Sequence, residues 1–175
     1  MRKLAFSTAG ILVRVPARMS QPEARPEVAI APVQDEGELA QALAIREVVF
    51  IEEQHVPEAE ERDSEDARAF HVLALQGGHA IGTGRLVELP EPPSGETGRW
   101  GRVGRMAVLQ ASRKLGVGSK ILHALESEAQ RRGIQGIVLH AQVVALDFYK
   151  QHGYLPMGAV FQEAGMPHLM MRKKL

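Results

Sequence analysis

The sequence predicts an α/β protein in which helices flank one mixed central sheet and the C-terminal half supplies a β-α-β unit. Three observations support this prediction. A length of 175 residues suits a single domain. In the first half, Gly77 and Gly78 separate two strand-like runs, which is typical of a β-hairpin. In the second half, helical periodicity alternates with strand-like runs, as in a helix that crosses between strands of one sheet.

Composition narrows the class of protein. Basic and acidic side chains number 21 each, whereas a protein that binds nucleic acid electrostatically carries a basic excess. The absence of cysteine excludes disulfides, cysteine nucleophiles and thiolate zinc sites, and it fits a reducing cytoplasm. The sequence contains no stretch of 18 consecutive apolar residues, so it predicts no membrane-spanning helix. We therefore expect a cytoplasmic protein with no nucleic-acid, membrane or metal partner.

The amino terminus is predicted to lie outside the domain. Residues 1–26 are interpreted as a flexible extension and residues 27–175 as the single domain. The apolar stretch at 4–13 loosely imitates a signal peptide, but polar residues and glycine dilute it and arginines follow it. Prolines after position 15 disfavour regular structure in the remainder, and Met19 is an alternative natural start.

The elements of the first half follow from capping and periodicity. Asp35 is the expected N-cap of a helix, and Glu38 follows it at the capping-box spacing. After the helix, the segment 52–66 carries eight carboxylates and one arginine, and it is either a solvated connection or an attractor for a cationic substrate. The predicted elements are a strand at 28–33, a helix from 36 to about 52, strands at 70–75, 80–88 and 102–108, and a proline-rich loop at 89–98.

The second half alternates helix and strand. Its long helix has one apolar face and ends at Gly133, and its short helix ends at Gly153, because glycine favours the conformation that closes a helix. The predicted elements are a helix at 117–132, a strand at 136–141, a helix at 144–151 and two final strands at 154–158 and 169–173.

The clearest chemical signal lies in a loop that contains glycines. This loop connects the predicted strand at 102–108 to the predicted long helix at 117–132. It reads Arg113-x-x-Gly116-x-Gly118. Glycines allow backbone N–H groups to turn toward one point, and the start of a helix adds free N–H groups and a positive dipole end. The combination suits a diphosphate, although it is neither a Walker A loop nor a dinucleotide fingerprint. Two glycines in an ordinary turn are the alternative interpretation.

The wider pattern resembles the GNAT superfamily of acetyl-CoA-dependent N-acetyltransferases. The superfamily signature is a strand ending in Ala-Val, a short loop, and R/Q-x-x-G-x-G/A at the start of a long helix. Ala107 and Val108 match the strand end, and the loop described above matches the rest. A second superfamily motif, A-x-x-F-Y-x-x-x-G-F/Y, is matched by Ala145, Phe148, Tyr149, Gly153 and Tyr154. The resemblance covers about residues 28–175 and implies a GNAT-like fold that uses acetyl-CoA.

A narrower resemblance connects the chain with the ElaA-like branch of that superfamily. The branch pattern combines LR-x-x-VF-x-x-EQ, E-x-D-x-x-D, a histidine and a late G-I-P-H. The matching residues here are Arg46, Val49, Phe50, Glu53, Gln54, Asp63, Asp66, His71, Gly165, Met166, Pro167 and His168. This branch informs the fold and cofactor more than the acceptor.

The GNAT resemblance implies a role for each motif. Backbone N–H groups of residues 113–119 would hold the CoA pyrophosphate, and Lys114 stands where many relatives have glycine. The strand edge would pair with pantetheine, with the N–H of Met106 polarising the acetyl carbonyl. Tyr149 would protonate the departing thiolate, and Gln142, where relatives often have asparagine, would bond the pantetheine arm or a phosphate. The implied cofactor contacts are Met106, Ala107, Val108, Arg113, Lys114, Leu115, Gly116, Val117, Gly118, Ser119, Gln142, Ala145, Phe148 and Tyr149.

The general base is left open by the sequence. Some relatives keep a glutamate where this chain has Arg102, which cannot accept a proton. The candidates are Glu53, Asp63, Asp66, His71 and His140, with a chain of water molecules as a further alternative. Any of the histidines could equally be structural.

The resemblance implies direct transfer of acetyl from acetyl-CoA to a primary amine of a small molecule or peptide, without an acyl-enzyme. The alternative is a CoA-binding module of the same fold with little or no turnover, which the arginine at position 102 favours. A longer acyl donor and a homodimer are also open.

Overall fold

The computed structural model describes residues 26–175, so the expectation of a flexible extension falls outside the described part of the chain. The first half contains β1 (Val28–Pro32), α1 (Glu36–Arg46), a π-helical segment (Glu47–Glu53), α2 (Glu58–Glu61), β2 (Phe70–Gln76), β3 (His79–Glu88) and β4 (Trp100–Val108). The second half contains α3 (Val117–Arg131), β5 (Gly136–Gln142), α4 (Leu146–Gln151), β6 (Leu155–Glu163) and β7 (Met166–Lys174).

One seven-stranded sheet organises the molecule. Its order is β1-β2-β3-β4-β5-β7-β6, and every neighbouring pair is antiparallel except β4 and β5, which run parallel. A parallel pair requires a crossover, and α3 supplies it. The predicted mixed sheet with flanking helices and a β-α-β unit is therefore confirmed.

The two long helices cover opposite faces of the sheet. On β2, Val72 and Ala74 pack in the core beneath α3, whereas Leu73 packs with Ala42 and Ile45 of α1. Successive strand residues point to opposite faces, so this alternation puts one helix on each side. On the α3 side the approach is close, because a Cβ added to Gly84 would lie 2.6 Å from Cγ2 of Ile121.

Two predicted element ends differ most from the structure. The predicted helix over 36–52 ends as an α-helix at Arg46 and continues as a π-helix to Glu53. Apolar spacing cannot separate these forms, because the two helices differ by less than one residue per turn. The predicted strand at 154–158 is β6, which runs to Glu163, and a turn at Ala164 (φ 50°) and Gly165 (φ 72°) connects it directly to β7.

Within residues 26–175, no helix combines the length and apolarity that crossing a bilayer would need. The same residues hold no group of three or more His, Cys, Asp or Glu side chains arranged to bind a metal ion.

Candidate active site

A cleft opens where the two parallel strands separate. Pairing between β4 and β5 covers Trp100, Gly101 and Arg102 of β4, and then stops. Beyond that point β4 continues to Val108 and β5 to Gln142 without bonding to each other. The backbone edges of both strands are therefore open to a ligand inserted between them.

A β-bulge deforms β4 inside this cleft. Its partner β3 pairs Arg85 with Gly104 and Thr83 with Ala107, so Arg105 and Met106 together oppose the single residue Gly84. Arg105 has a φ of 52°, in the left-handed region that is unusual for a residue with a side chain. A bulge interrupts the ladder and turns backbone groups away from it. This geometry suits the predicted use of the Met106 N–H as a donor to a ligand.

The loop before α3 bends as an anion-binding loop should. Lys114 (φ 63°) and Gly116 (φ 76°) both adopt left-handed conformations, and Gly116 occupies the N-cap position of α3. The first-turn N–H groups that follow have no acceptor within the helix. The side chain of Val117 is buried in the core, so this loop presents backbone rather than bulky side chains at its centre.

The side chain of Arg113 holds the loop in place. Its Nε donates to the carbonyl of Val108 at 2.9 Å, and its Nη2 bonds the carboxylate of Glu53. Glu53, a candidate base, is thereby placed in an ion pair outside the cavity lining described below. The guanidinium of Arg113 is thus directed to protein partners.

Tyr149 reaches the bulge from α4. Its hydroxyl lies 3.7 Å from Sδ of Met106, and burial raises its pKa to about 12. The neighbouring Phe148 packs edge-on against it, with ring centroids 5.0 Å apart, and would meet a Cβ on Gly118 at 3.5 Å. The structure thus brings together Tyr149, the predicted acid, Met106, whose N–H is the predicted donor to the acetyl carbonyl, and the start of α3.

A cavity of about 290 Å³ occupies the cleft. Met106, Gln142, Ala145 and Tyr149, four of the predicted cofactor contacts, line it, whereas residues 113–119 do not. Its other polar lining includes Gln54, Glu60, Arg102, Arg105, His140, Glu163 and His168. The Nε2 group of Gln142 donates to Oε1 of Gln54 at 2.8 Å, which connects β5 to the end of the π-helical segment. The cavity therefore extends from Met106 and Tyr149 toward Gln54 and His140, and not toward the loop that precedes α3.

The acidic segment that precedes β2 is not simply solvated, contrary to one of the two sequence interpretations. Glu61 is 2% exposed and bonds the fully buried Arg46. Arg46 also bonds Asp66 at 2.7 Å, and Arg85 bonds Asp63 and Asp66 at 2.7 Å each. Charges removed from water need such partners. We call these residues the arginine–carboxylate network, and it also includes Arg102 paired with Glu65 and Arg105 paired with Asp63.

The arginine–carboxylate network argues against Asp63 and Asp66 as the general base. Burial alone would raise the pKa of Asp66, but hydrogen bonds from Arg46 and Arg85 outweigh it and lower the pKa to about 2. Burial acts against ionisation of Asp63 in the same way, and Arg85 again reverses the effect and lowers the pKa. A carboxylate held in its ionised form by guanidinium groups is a poor proton acceptor.

The two candidate histidines lie in different places. His71 is buried on β2, where its Nε2 contacts the Asp66 carbonyl at 3.0 Å and burial lowers its pKa. It is not among the residues that line the cavity. His140 on β5 does line the cavity, and its Nδ1 lies 2.9 Å from Oε2 of Glu163. Of the candidates, only Asp63 and His140 line the cavity, and Asp63 is held in ion pairs with Arg85 and Arg105.

Sequence reasoning missed Glu60 and Glu163 as cavity residues. Glu163 was overlooked because the strand β6 was predicted to end five residues earlier, at position 158. The available signal was Gly165, which favours positive φ and so marks a tight turn immediately after Glu163.

Comparison with known proteins agrees with this geometry. The family model described as the Acetyltransferase (GNAT) domain matches residues 31–175. The Bacillus subtilis protein YjcF, named an uncharacterized N-acetyltransferase, is 38% identical over 140 residues, which are 79% of this chain and 94% of YjcF. The chain therefore belongs to the GNAT acetyltransferase family. The separated strands β4 and β5, the bulge in β4 and the loop before α3 are features of a member of that family.

Two further relatives describe its place in that family. Escherichia coli ElaA is 26% identical over 136 residues, or 76% of this chain and 85% of ElaA. The ElaA crystal structure superposes with a TM-score of 0.71 over 84% of this chain and 99% of ElaA. An acyl-CoA N-acyltransferase from Pseudomonas aeruginosa superposes with the same TM-score at 25% identity, over 84% of this chain and 99% of that one. The predicted resemblance to ElaA is confirmed.

Proposed function

We propose that this protein transfers an acetyl group from acetyl-CoA directly to a primary amine. The observation that carries the proposal is the separation of β4 from β5 at a bulge that lies beside the anion-binding loop of α3. CoA has a diphosphate at one position and a thioester at the end of an extended arm. The loop suits the diphosphate, and the strand edge from Met106 to Val108 suits the amides of the arm.

The side chains around the thioester fit the cofactor. Gln142 lies across the cleft from β4 and carries an amide able to bond pantetheine. Ala145 adds an apolar side chain to the cavity lining, and Phe148 lies against Gly118 at the start of α3. Leu115, which is exposed, and Ser119 lie in and just after the loop that precedes α3. Lys114 is exposed beside this loop, and its cation adds local attraction for phosphate in a chain with no net charge.

The reaction follows from these groups. The ammonium of the acceptor loses a proton to His140, which passes it to solvent. The free amine attacks the thioester carbon, forming a C–N bond and an oxyanion that the Met106 N–H stabilises by about 3 kcal/mol. The C–S bond breaks, Tyr149 donates its proton to the thiolate, and the second proton from nitrogen restores the phenol through water. One proton is released for each amide formed.

Local charge supports a cationic acceptor. The arginines near the cavity are all bonded to carboxylates of the arginine–carboxylate network. Arg105 donates to the backbone carbonyl of Glu60, so this contact leaves the charge of the Glu60 carboxylate uncompensated. Glu60 is exposed and lines the cavity. Electrostatic attraction would raise the local concentration of an ammonium substrate.

The test is release of CoA thiol from acetyl-CoA in the presence of a panel of primary amines. Longer acyl-CoA donors measured in parallel decide whether the donor is acetyl-CoA. Thermal stabilisation by CoA without thiol release for any amine would contradict the transferase proposal. That outcome would favour the alternative, a CoA-binding module. The observation that favours this alternative is Arg102, which stands where some relatives have a glutamate and is paired with Glu65.

A further inference from the structure

We propose that Glu163 is a positioning residue that holds His140 in one tautomer, so that the other ring nitrogen can accept the proton of the acceptor amine. This inference rests on the proposed function, since it assigns the base for that reaction. It adds a residue that the motifs of the sequence did not indicate.

The tautomer follows from the hydrogen bond. Oε2 of Glu163 lies 2.9 Å from Nδ1 of His140. An ionised carboxylate can only accept hydrogen bonds, so Nδ1 must carry the hydrogen. In the neutral ring Nε2 then holds a lone pair, and this nitrogen is the proton acceptor.

Aromatic packing fixes the plane of the ring. The ring of Phe161 meets His140 edge-on with centroids 5.0 Å apart. Phe161 also stacks with His168, with ring centroids 6.1 Å apart and an interplanar angle of 28°. Phe161 and Glu163 lie two residues apart on β6, so their side chains emerge on the same face of the strand. Both contacts therefore reach His140 from one strand.

The tight turn between β6 and β7 determines where Glu163 lies. In the hairpin Glu163 pairs with Met166 and Phe161 with His168, and β7 in turn pairs His168 with Gln142 of β5. This register aligns the end of β6 with the end of β5, across the intervening β7. Glu163 and His140 consequently both line the cavity.

The charged and titratable groups that line the cavity with His140 have partners of their own, except the carboxylate of Glu60. From β4, Arg102 bonds Glu65 and Arg105 bonds Asp63. From β7, Nδ1 of His168 lies 2.9 Å from the Met166 carbonyl. Tyr149 of α4 contacts Met106, and Glu60 of α2 lies on the same cavity wall as Arg105. These partners leave Glu163 available to His140.

The first experiment is nitrogen NMR of histidine-labelled protein in the presence of CoA, at about pH 8, where an ordinary histidine is neutral. The His140 signals are assigned from their loss in H140Q. We expect the Nδ1–H tautomer in the wild type and a mixture of tautomers in E163Q, because an amide can donate or accept. An equal mixture in the wild type would overturn the proposed hydrogen bond, whether or not the protein is an acetyltransferase.

The second experiment compares acceptors that differ in basicity. An alkylamine is protonated near neutral pH and requires a base, whereas an arylamine is already neutral. For the alkylamine we expect kcat to fall about 100-fold in H140Q. In E163Q we expect a fall of about 10-fold, the lower end of the loss found when the partner that orients a metal-bound histidine is removed. For the arylamine both losses should shrink to about threefold or less, which a purely structural defect would not produce.

The matched control is D147N, which removes one carboxylate from an exposed ion pair with Lys150 on nearby α4. It should retain wild-type kinetics with both amines, and all three variants should retain CoA affinity. Equal losses for the two amines, or an unchanged kcat in E163Q, would overturn the role of Glu163. Lack of turnover in the wild type would instead count against the proposed function, and the NMR result would still decide the tautomer.

Discussion

The guanidinium of Arg105 bonds the carboxylate of Asp63 at 3.1 Å and the carbonyl of Glu60 at 2.8 Å. Arg105 is the left-handed residue of the β4 bulge, next to the backbone N–H proposed to bind the acetyl carbonyl. The acidic segment therefore holds the bulge through one side chain. Its carboxylates contribute to the shape of the reaction centre as well as to its charge.

At position 105 glycine should be more stable than alanine, the reverse of the usual order in a strand. In most strand positions alanine is tolerated better than glycine, because glycine loses more backbone entropy on folding. At a φ of 52° only glycine is free of strain. We expect R105A to be less stable than R105G by about 1 kcal/mol, measured by urea denaturation. If R105A is the more stable variant, the left-handed bulge is absent in solution.

The arginine–carboxylate network should make stability depend on acid pH. The folded-state pKa of Asp66 is lowered to about 2 from an ordinary 3.8, so its contribution is complete above the ordinary value and is lost as pH falls toward 2. The free energy of unfolding should therefore fall by about 2 kcal/mol over that interval. Urea titrations at several pH values measure this slope.

Removing the carboxylate of Asp66 should flatten that slope. D66N leaves Arg46 without one of its ionised partners in a buried site, so we expect a loss of about 3 kcal/mol near neutral pH. The control is E58Q, which breaks an exposed pair with Arg62 and should cost less than about 1 kcal/mol. A D66N protein as stable as wild type would contradict the buried ion pairs.

A carboxylate at position 118 should weaken CoA binding without unfolding the protein. A Cβ there would meet Phe148 at 3.5 Å, an ordinary contact, so G118A should fold and bind nearly as the wild type does. G118D adds a negative charge beside the proposed diphosphate site, and Kd for CoA should rise at least about tenfold. Thermal shifts and calorimetry measure both variants. Wild-type affinity in folded G118D would move the pyrophosphate elsewhere.

The proposed role of Tyr149 as a proton donor can be tested with Tyr154 as a matched control. Y149F keeps the ring but removes the proton donor, so kcat should fall about 100-fold while Kd for acetyl-CoA stays constant. Tyr154 contacts the ring of Tyr149 edge-on at 5.8 Å but does not line the cavity, and Y154F should keep kcat. Because the pKa of Tyr149 is about 12, its ionisation should cause no loss of activity from about pH 7 to 10. An unchanged kcat in Y149F, where chemistry limits the rate, would make water the donor.

Local motifs predicted the part of the site that backbone geometry builds. The glycines of the α3 loop and the end of β4 were recognisable because their chemistry depends on neighbours in sequence. The partners of the acidic segment were not, since Asp63 bonds Arg85 and Arg105, 22 and 42 residues further along the chain. Burial of a charge depends on such distant partners. His140 could be named as a candidate base, but its pairing with Glu163 required the length of β6.

The position of β7 has a consequence for biosynthesis. The last nine-residue strand of the chain lies between β5 and β6, so until it is synthesised β5 has an open edge and β6 has no partner. Ile137 and Leu139 of β5 are buried in the finished sheet. An open apolar edge invites pairing with other chains. A nascent chain that terminates before β7 should therefore aggregate or be degraded, and this half of the sheet can close only after β7 has been synthesised.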